Sequence, residues 1–574
     1  MGINNRRKFL KQTGAAAAGV SMLPNLSWAE VSRNKVNGSD EILKKLSVFN
    51  DERVTGLLED QINKPGDRWD GGVVNIYDLP NVHSTCWFIV RTVASYASEF
   101  SKYYKASELE GPLTKAMACM LNVQHEDGTI DLHSTNFHST PDTAFLVNYL
   151  SPAYVCLQRL NPPGLEDFLS QLKSFLFNSG KCLLVGGIHT ANHRWVVSSA
   201  LARLYDFFGN EKYLKRMEEW LAEGIDVDPD GQYTERSVSI YSPTCNDMFL
   251  TIGRLLDRTD LMDVVRANLA MSLYYIQPGG EVLTDASHRQ DSAHIGYVNR
   301  YYYSYRYFAI KDQNPEFAAV CKLMEEQMPE RISDTILLLL EDPHFGQKMP
   351  ATGNIPDNYF KRFVHSGVFR IRRGNTDISV IEQNPTFLSY RKGNAVMQSM
   401  RLGAAFFGKG QFVAEQTEVS GNTIIMKRSL TKGYYQPVPE DKRKGENDWA
   451  IFPRDERELS EAQTIYMTVT IREASGKVII DAEITGTDHV PVTWEMSFRA
   501  NGVLKGVVQD EANPDVYFLE QGTGQFEVGE DIIRFGNGMN THKWAQMRGL
   551  LPKQDGLSVY ITGNTPFRHR LELG

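Results

Sequence analysis

Four glycine-marked loops recur through the first 300 residues, each separating one pair of helical runs from the next. They are Asp127-Gly128, Gly186-Gly187, Asp230-Gly231 and Gly279-Gly280, with successive gaps of 59, 44 and 49 residues. Between them apolar residues return every three or four positions, as in helices with one buried face. The pattern predicts runs near 85–105, 106–123, 143–160, 165–182, 193–208, 211–224, 243–257, 260–276, 290–310 and 314–340. One helical hairpin cannot bury its apolar face alone, so a repeat of roughly 50 residues implies stacked or ring-closed hairpins. Five to six of them predict an open or closed (α/α) toroid over residues 30–345. Its Gly-marked loops and the following helix starts would line a central cleft.

The texture changes near residue 345. "PHFGQKMPATGNIPDN" predicts a linker over 346–360. Beyond it, period-two runs such as "HSGVFRIRRG", "DISVIEQN", "TIYMTVTIREA" and "VTWEMSFRA" predict an antiparallel β-sandwich over 361–574. A charged and aromatic loop over 431–460 is placed to fold back over the toroid and close one end of the cleft. The chain therefore reads as multidomain α and β, an N-terminal (α/α) toroid followed by a C-terminal antiparallel β-sandwich. A length of 574 residues fits more than one core.

At the N-terminus, Asn5-Arg6-Arg7-Lys8-Phe9-Leu10-Lys11 precedes a mildly apolar stretch and then Ser27-Trp28-Ala29. This predicts a bacterial twin-arginine export signal over residues 1–29 and a periplasmic, secreted or cell-surface protein. No later stretch is a clean apolar run of membrane-spanning length. A net charge of −9 speaks against nucleic acid as partner, so any anionic substrate must be held by a local basic cluster. Cys86, Cys119, Cys156, Cys182, Cys245 and Cys321 stand singly, without a CxxC pair, and read as buried free thiols.

Residues 186–241 carry the chemistry. Asn192, His193, Arg194 and Trp195 head one helical run, and a loop with Tyr233, Glu235, Arg236 and Tyr241 follows one hairpin later. β-Elimination on a uronic acid needs a group to hold the carboxylate, a base for the C5 proton and an acid for the leaving oxygen. Asn192 and Arg236 suit the first task, and His193 and Tyr241 the proton transfers, either being base or acid according to sugar stereochemistry. Arg194, Trp195, Tyr233 and Glu235 are candidate substrate contacts, with Tyr233 in reserve for Tyr241. Taken alone, Asn192 is equally a helix cap and His193 a satisfied core histidine.

Two further loops belong to the same expected rim. "QHEDGTIDLHSTNFHSTPDTAF" offers Asn136 and His138 for sugar binding; His133 and His138 match no usual zinc spacing, so neither metal nor cofactor is expected. Asp142 there is also a plausible helix cap. "TDASHRQDSAH" offers His288 and Arg289. Trp69 and Trp87 join Trp195 as stacking candidates. Two rival functions stay open. A glycoside hydrolase would draw on Asp127, Asp142, Glu235 and Asp247, and a non-catalytic glycan-binding protein would need none of the proton-transfer groups.

A helical toroid, a Gly/Pro linker and a β-sandwich, with Asn192-His193 about one hairpin before Tyr241, resemble the polysaccharide lyases of the heparinase II/III and chondroitin/alginate lyase type. "HSGVFRIRRG", opening on His365, is similar to the first strands of that sandwich. The resemblance implies a lyase acting at a glucuronate-type uronic acid. One departure is plain: where such sandwiches often carry a His-x-His-x-x-Asp-like segment, "SYRKGNAVMQSMRLG" has Arg391 and Asn394 and no histidine. That speaks against a sandwich-borne catalytic histidine or structural zinc. The modest basic content of the loops favours a weakly charged glycan, such as one with rhamnose–glucuronate linkages, cleaved from chain ends.

Overall fold

A computed structural model describes residues 37–445 and 447–574. The expected export signal, residues 1–29, lies outside the described residues. Helix α1 (Asn37–Glu59) leads into five hairpins: α2 (Val82–Ala97) with α3 (Glu110–Val123), α4 (Thr140–Leu160) with α5 (Glu166–Val185), α6 (Ala191–Phe208) with α7 (Glu211–Leu221), α8 (Tyr241–Leu256) with α9 (Thr259–Ser272), and α10 (Tyr302–Lys311) with α11 (Pro315–Gln327). The even-numbered helices α2, α4, α6, α8 and α10 pack side by side as an inner row, each backed by its hairpin partner. A last helix, α12 (Ile336–Glu341), returns to pack on α1, α2 and α4.

Two predicted runs differ from the structure. The run 290–310 is helical only from Tyr302 onward; residues 281–297 form a short two-stranded pairing followed by a 3-10 turn. Its aromatic density misleads, because Tyr301, Tyr302, Tyr303 and Tyr305 are buried on every side, not along one stripe. The run 314–340 is broken after Gln327 by Pro329, whose ring is accepted only in a first helical turn.

Two glycine loops explain the spacing of the repeat. Gly128 and Gly231 both adopt positive φ, +88° and +91°. A side chain on Gly128 would strike the carbonyl of Asn178, and one on Gly231 would come within 2.7 Å of the carbonyl of Ala267. Each turn thus folds tightly onto the outer helix of the next hairpin, where only glycine fits.

Beyond the toroid, two sheets of ten and eight strands face each other across an apolar core that includes Phe369, Leu402, Met426, Ile480, Trp494 and Ile561. The first strand, Asn358–Phe363, begins inside the predicted linker. Pairing is antiparallel except where Val516–Phe518 runs parallel to Leu557–Asn564. The stretch 431–460, expected to fold back over the toroid, prolongs the hairpin of Thr423–Tyr435 and Leu459–Ala474. Its hydrogen bonds and ion pairs among the described residues, such as Lys442 with Glu456 and Arg457 with the carbonyl of Gln436, stay within that hairpin. All six cysteines are buried and unpaired. No helix among the described residues is long and apolar enough to cross a membrane.

The domains are joined through polar contacts. Glu281 holds Arg391 at 2.5 Å and Arg499 at 2.7 Å, and the Arg370 guanidinium donates to the carbonyl of Tyr274. Arg391, in the stretch without histidine, is therefore a cross-domain anchor.

Candidate active site

The N-terminal ends of the inner helices meet at one rim, and each brings a polar side chain. His83 is the second residue of α2, Asp142 the third of α4, Asn192 and His193 the second and third of α6, and Tyr241 the first of α8. Helix starts also bring unpaired N–H groups and the positive end of the helix dipole, so the rim favours an anion.

Asn192 is 1 % exposed, and its Nδ2 donates to both carboxylate oxygens of Glu235, at 3.0 and 2.9 Å. Glu235 in turn pairs with Arg289 at 3.6 Å. Burial pushes the Glu235 carboxyl above its ordinary range, against the pull of Asn192 and Arg289. The Arg289 guanidinium lies 5.0 Å over the ring of Tyr241, and Gln290 Nε2 donates to the Tyr241 hydroxyl at 2.6 Å. Asn192, Glu235, Arg289, Tyr241 and Gln290 thus form one connected chain. It places a positive charge over the phenol ring and a donor on the phenol oxygen.

His193, 8 % exposed, stands beside this chain with its ring edge-on to Phe145 at 6.2 Å and to His189 at 4.7 Å. Burial, with the neighbouring His189 and Arg289, pulls its imidazole down to about 4, against the opposing Asp142 carboxylate. It is neutral at pH 7 and able to accept a proton. The buried polar atoms here without a hydrogen-bond partner include Asn192 Oδ1 and His193 Nδ1. Unpaired groups of this kind, adjacent in sequence at a rim, are what a substrate would satisfy.

Other expected contacts fall elsewhere. Trp195 is fully buried, with its indole N–H donating to Asp226 at 2.8 Å, and Tyr233 is 2 % exposed, donating to Asn246 at 2.9 Å. Both are core residues and not substrate contacts. Arg194 is committed to Asp226 at 3.2 Å and to the carbonyl of Gly224 at 3.1 Å, stacked over Trp195. Successive helical positions differ by about 100°, so the residues after Asn192-His193 turn away from the rim. Arg236, at φ +51°, donates to the carbonyls of Ser366 (2.7 Å) and His365 (3.2 Å). With Asp230 accepting from both backbone N–H groups of that turn, at 2.7 and 2.9 Å, it bolts the loop before α8 to the sandwich. Its expected carboxylate role is replaced by a latch.

Asn136 donates to Asp142 at 2.8 Å, close to His83, which lies 3.5 Å from the same carboxylate. Asp142 is also held by the Ser139 hydroxyl, and these partners pull its carboxyl down against burial. His138 is exposed, stacked on His125 at 3.8 Å and paired with Asp127 at 3.0 Å. The Asp127 carboxyl falls to about 2 through Thr129 and His138, opposed by burial. His288 is exposed, and its backbone N–H donates to the Glu235 carbonyl. His83, His189 and Gln290 escaped the sequence reading. Among the described residues no group of three or more His, Cys, Asp or Glu could hold a metal ion.

The sequence alone finds no matching family model and no significantly similar curated protein. Solved structures are similar in fold. Heparinase III aligns at 10 % identity and TM-score 0.53, over 97 % of this chain and 87 % of that one. A Paenibacillus xanthan lyase aligns at 9 % identity and TM-score 0.55, over 96 % of this chain and 57 % of that one. The Streptomyces coelicolor chondroitin AC lyase in complex with chondroitin sulphate aligns at 10 % identity and TM-score 0.52, over 96 % and 80 %. The chain therefore carries the toroid-and-sandwich fold that these solved polysaccharide lyases have.

Proposed function

We propose that this protein is a polysaccharide lyase that breaks a glycosidic bond at a uronic acid by β-elimination. The reading rests on one observation, the Asn192–Glu235–Arg289–Tyr241–Gln290 chain standing beside a neutral His193 at the toroid rim. In the resting state His193 is the proton acceptor and the Tyr241 hydroxyl the donor. His193 takes the C5 proton, the C4–O bond breaks as the C4–C5 double bond forms, and Tyr241 protonates the departing oxygen. Arg289 and Gln290 then hold the phenolate until it is reprotonated. Glu235 fixes the Asn192 amide so that its free oxygen meets the acid group of the sugar in protonated form. A neutral acid group makes the C5 proton easier to remove.

The substrate we favour is a weakly charged, glucuronate-type glycan, with a rhamnose–glucuronate linkage as the concrete candidate. Arg194 and Arg236 are committed to protein partners, which takes two of the expected cations away from the substrate and favours a sparsely charged chain. The export reading of residues 1–29 gives such an enzyme a periplasmic or cell-surface setting. Exo action remains part of the proposal and is decided by product sizing. The test is a digest series on heparan, chondroitin, alginate, ulvan and gum arabic, following absorbance of the unsaturated uronate. Product is expected on a glucuronate glycan and lost in Tyr241→Phe; no unsaturated product on any of them overturns the reading.

A hydrolase reading has one observation in its favour. Burial raises Asp247 to about 7, against Ser304 and Arg300, while Asp142 is lowered, the split an acid–base carboxyl pair needs. Saturated products that depend on both carboxylates would select it.

A further inference from the structure

The inner helix row has a fifth member at the rim. Arg300 lies two residues before α10, in the 3-10 turn Val298–Tyr301 that leads into it, at the same end of the inner row as His83, Asp142, Asn192 and Tyr241. It is exposed, and it makes no hydrogen bond or ion pair with any described residue. Arg194, Arg236 and Arg289 all have partners. Ser304, in the first turn of α10, donates to Asp247 of α8 at 2.7 Å, and Arg300 stands near enough for its charge to act on both Asp247 and Tyr149. Burial pushes the Asp247 carboxyl up, and Ser304 and the nearby Arg300 charge draw it back down.

An aromatic stripe runs inward from His193. Phe145 and Tyr149 are four residues apart on α4, with rings 6.0 Å apart, and Trp87 on α2 lies 5.0 Å beyond. All three are half-buried, unlike the core aromatics around them. Apolar faces with one side open, flanked by a lone cation and a carboxyl, are what a pyranose ring with hydroxyls and an acid group stacks upon.

We infer that Arg300, with Asp247 and the stripe Phe145–Tyr149–Trp87, forms a second sugar subsite inside the toroid for a pyranose bearing an anionic group. Arg300 pairs with that group, Asp247 accepts from ring hydroxyls, and the stripe takes the ring face. The anion is a carboxylate or a sulfate ester, which share this recognition chemistry. The inference rests on the proposed glycan cleft, and it makes the preferred substrate one with acid groups on residues near the cleaved bond.

The test uses full-length Tyr241→Phe, so that substrate survives, with Trp fluorescence and calorimetry as readouts. Probes are unsulfated chondroitin tetrasaccharide, its 6-sulfated form, a glucuronate-containing fragment of gum arabic, and neutral maltotetraose. Adding Arg300→Ala is expected to weaken an acidic probe at least tenfold, to flatten the salt dependence of its binding, and to leave neutral sugar unchanged. Arg300→Lys is expected to restore part of the affinity, and Tyr149→Ala to weaken charged and neutral probes alike. Preference for the unsulfated acidic probe assigns a carboxylate, and preference for the 6-sulfated form a sulfate ester. Equal binding by the Arg300→Ala protein, or no charge-dependent binding by the parent, overturns the subsite. Arg300-dependent binding without any unsaturated product from the wild-type protein would overturn the lyase reading and leave the subsite standing.

Discussion

Replacing Glu235 by glutamine tests the connected chain at its centre. The native carboxylate accepts both bonds from Asn192 Nδ2 and faces Arg289 at 3.6 Å, while nearly buried. Glutamine keeps one acceptor oxygen, turns an NH2 group toward another NH2, and removes the charge opposite Arg289. One charge-assisted hydrogen bond contributes about 1.5–3 kcal/mol. At about 1.4 kcal/mol per tenfold, Glu235→Gln is expected to lower kcat/KM by roughly ten- to 150-fold. The assay is the initial rate of unsaturated uronate formation, with circular dichroism and thermal unfolding to show that the fold persists. Glu235→Asp, too short to reach both partners, is expected to be nearly as poor. A folded Glu235→Gln protein within twofold of wild type would refute the idea that Glu235 sets Asn192 and Arg289.

Four further outcomes follow from the same geometry. Tyr233→Phe removes only the bond to Asn246, so stability should fall by about 1 kcal/mol in urea unfolding while kcat holds. Arg203→Met breaks a buried pair with Glu341, itself bridged to Arg254 at 3.1 Å, and should cost about 3–5 kcal/mol of stability. Because His193 is lowered to about 4, the unfolded chain binds a proton that the native site refuses. Its contribution to stability is full above about 6.5 and lost as pH falls toward about 4, a dependence that His193→Gln should remove from pH-dependent unfolding. Activity is expected to survive a chelator; loss with stoichiometric metal release would return the loop histidines to consideration.

Much of the fold is legible in the sequence because burial imposes a period. Helical spacing up to 340 and alternation from 361 identify toroid and sandwich without any partner residue being known. Where burial surrounds an element, as at Tyr301–Tyr305, the period vanishes and the boundary is lost. At the site, Asn192, His193 and Tyr241 are legible as polar residues opening inner helices. His83 holds an equivalent place and Arg300 stands in the turn just before one, and the same reading of every inner helix start finds them. Arg236 misleads because its partners, the carbonyls of His365 and Ser366, lie about 130 residues away. Arg194 and Trp195 mislead because adjacency in sequence is not a shared face on a helix.

The central claim is elimination rather than hydrolysis, and heavy-oxygen water tests it most directly. Digestion of a glucuronate glycan in that solvent, followed by mass spectrometry, reports whether a water molecule enters the bond. The account predicts products without solvent oxygen, one fragment bearing a C4–C5 double bond, and neither formed by Tyr241→Phe. Products carrying one heavy oxygen at the new reducing end, with no unsaturated fragment, would contradict it.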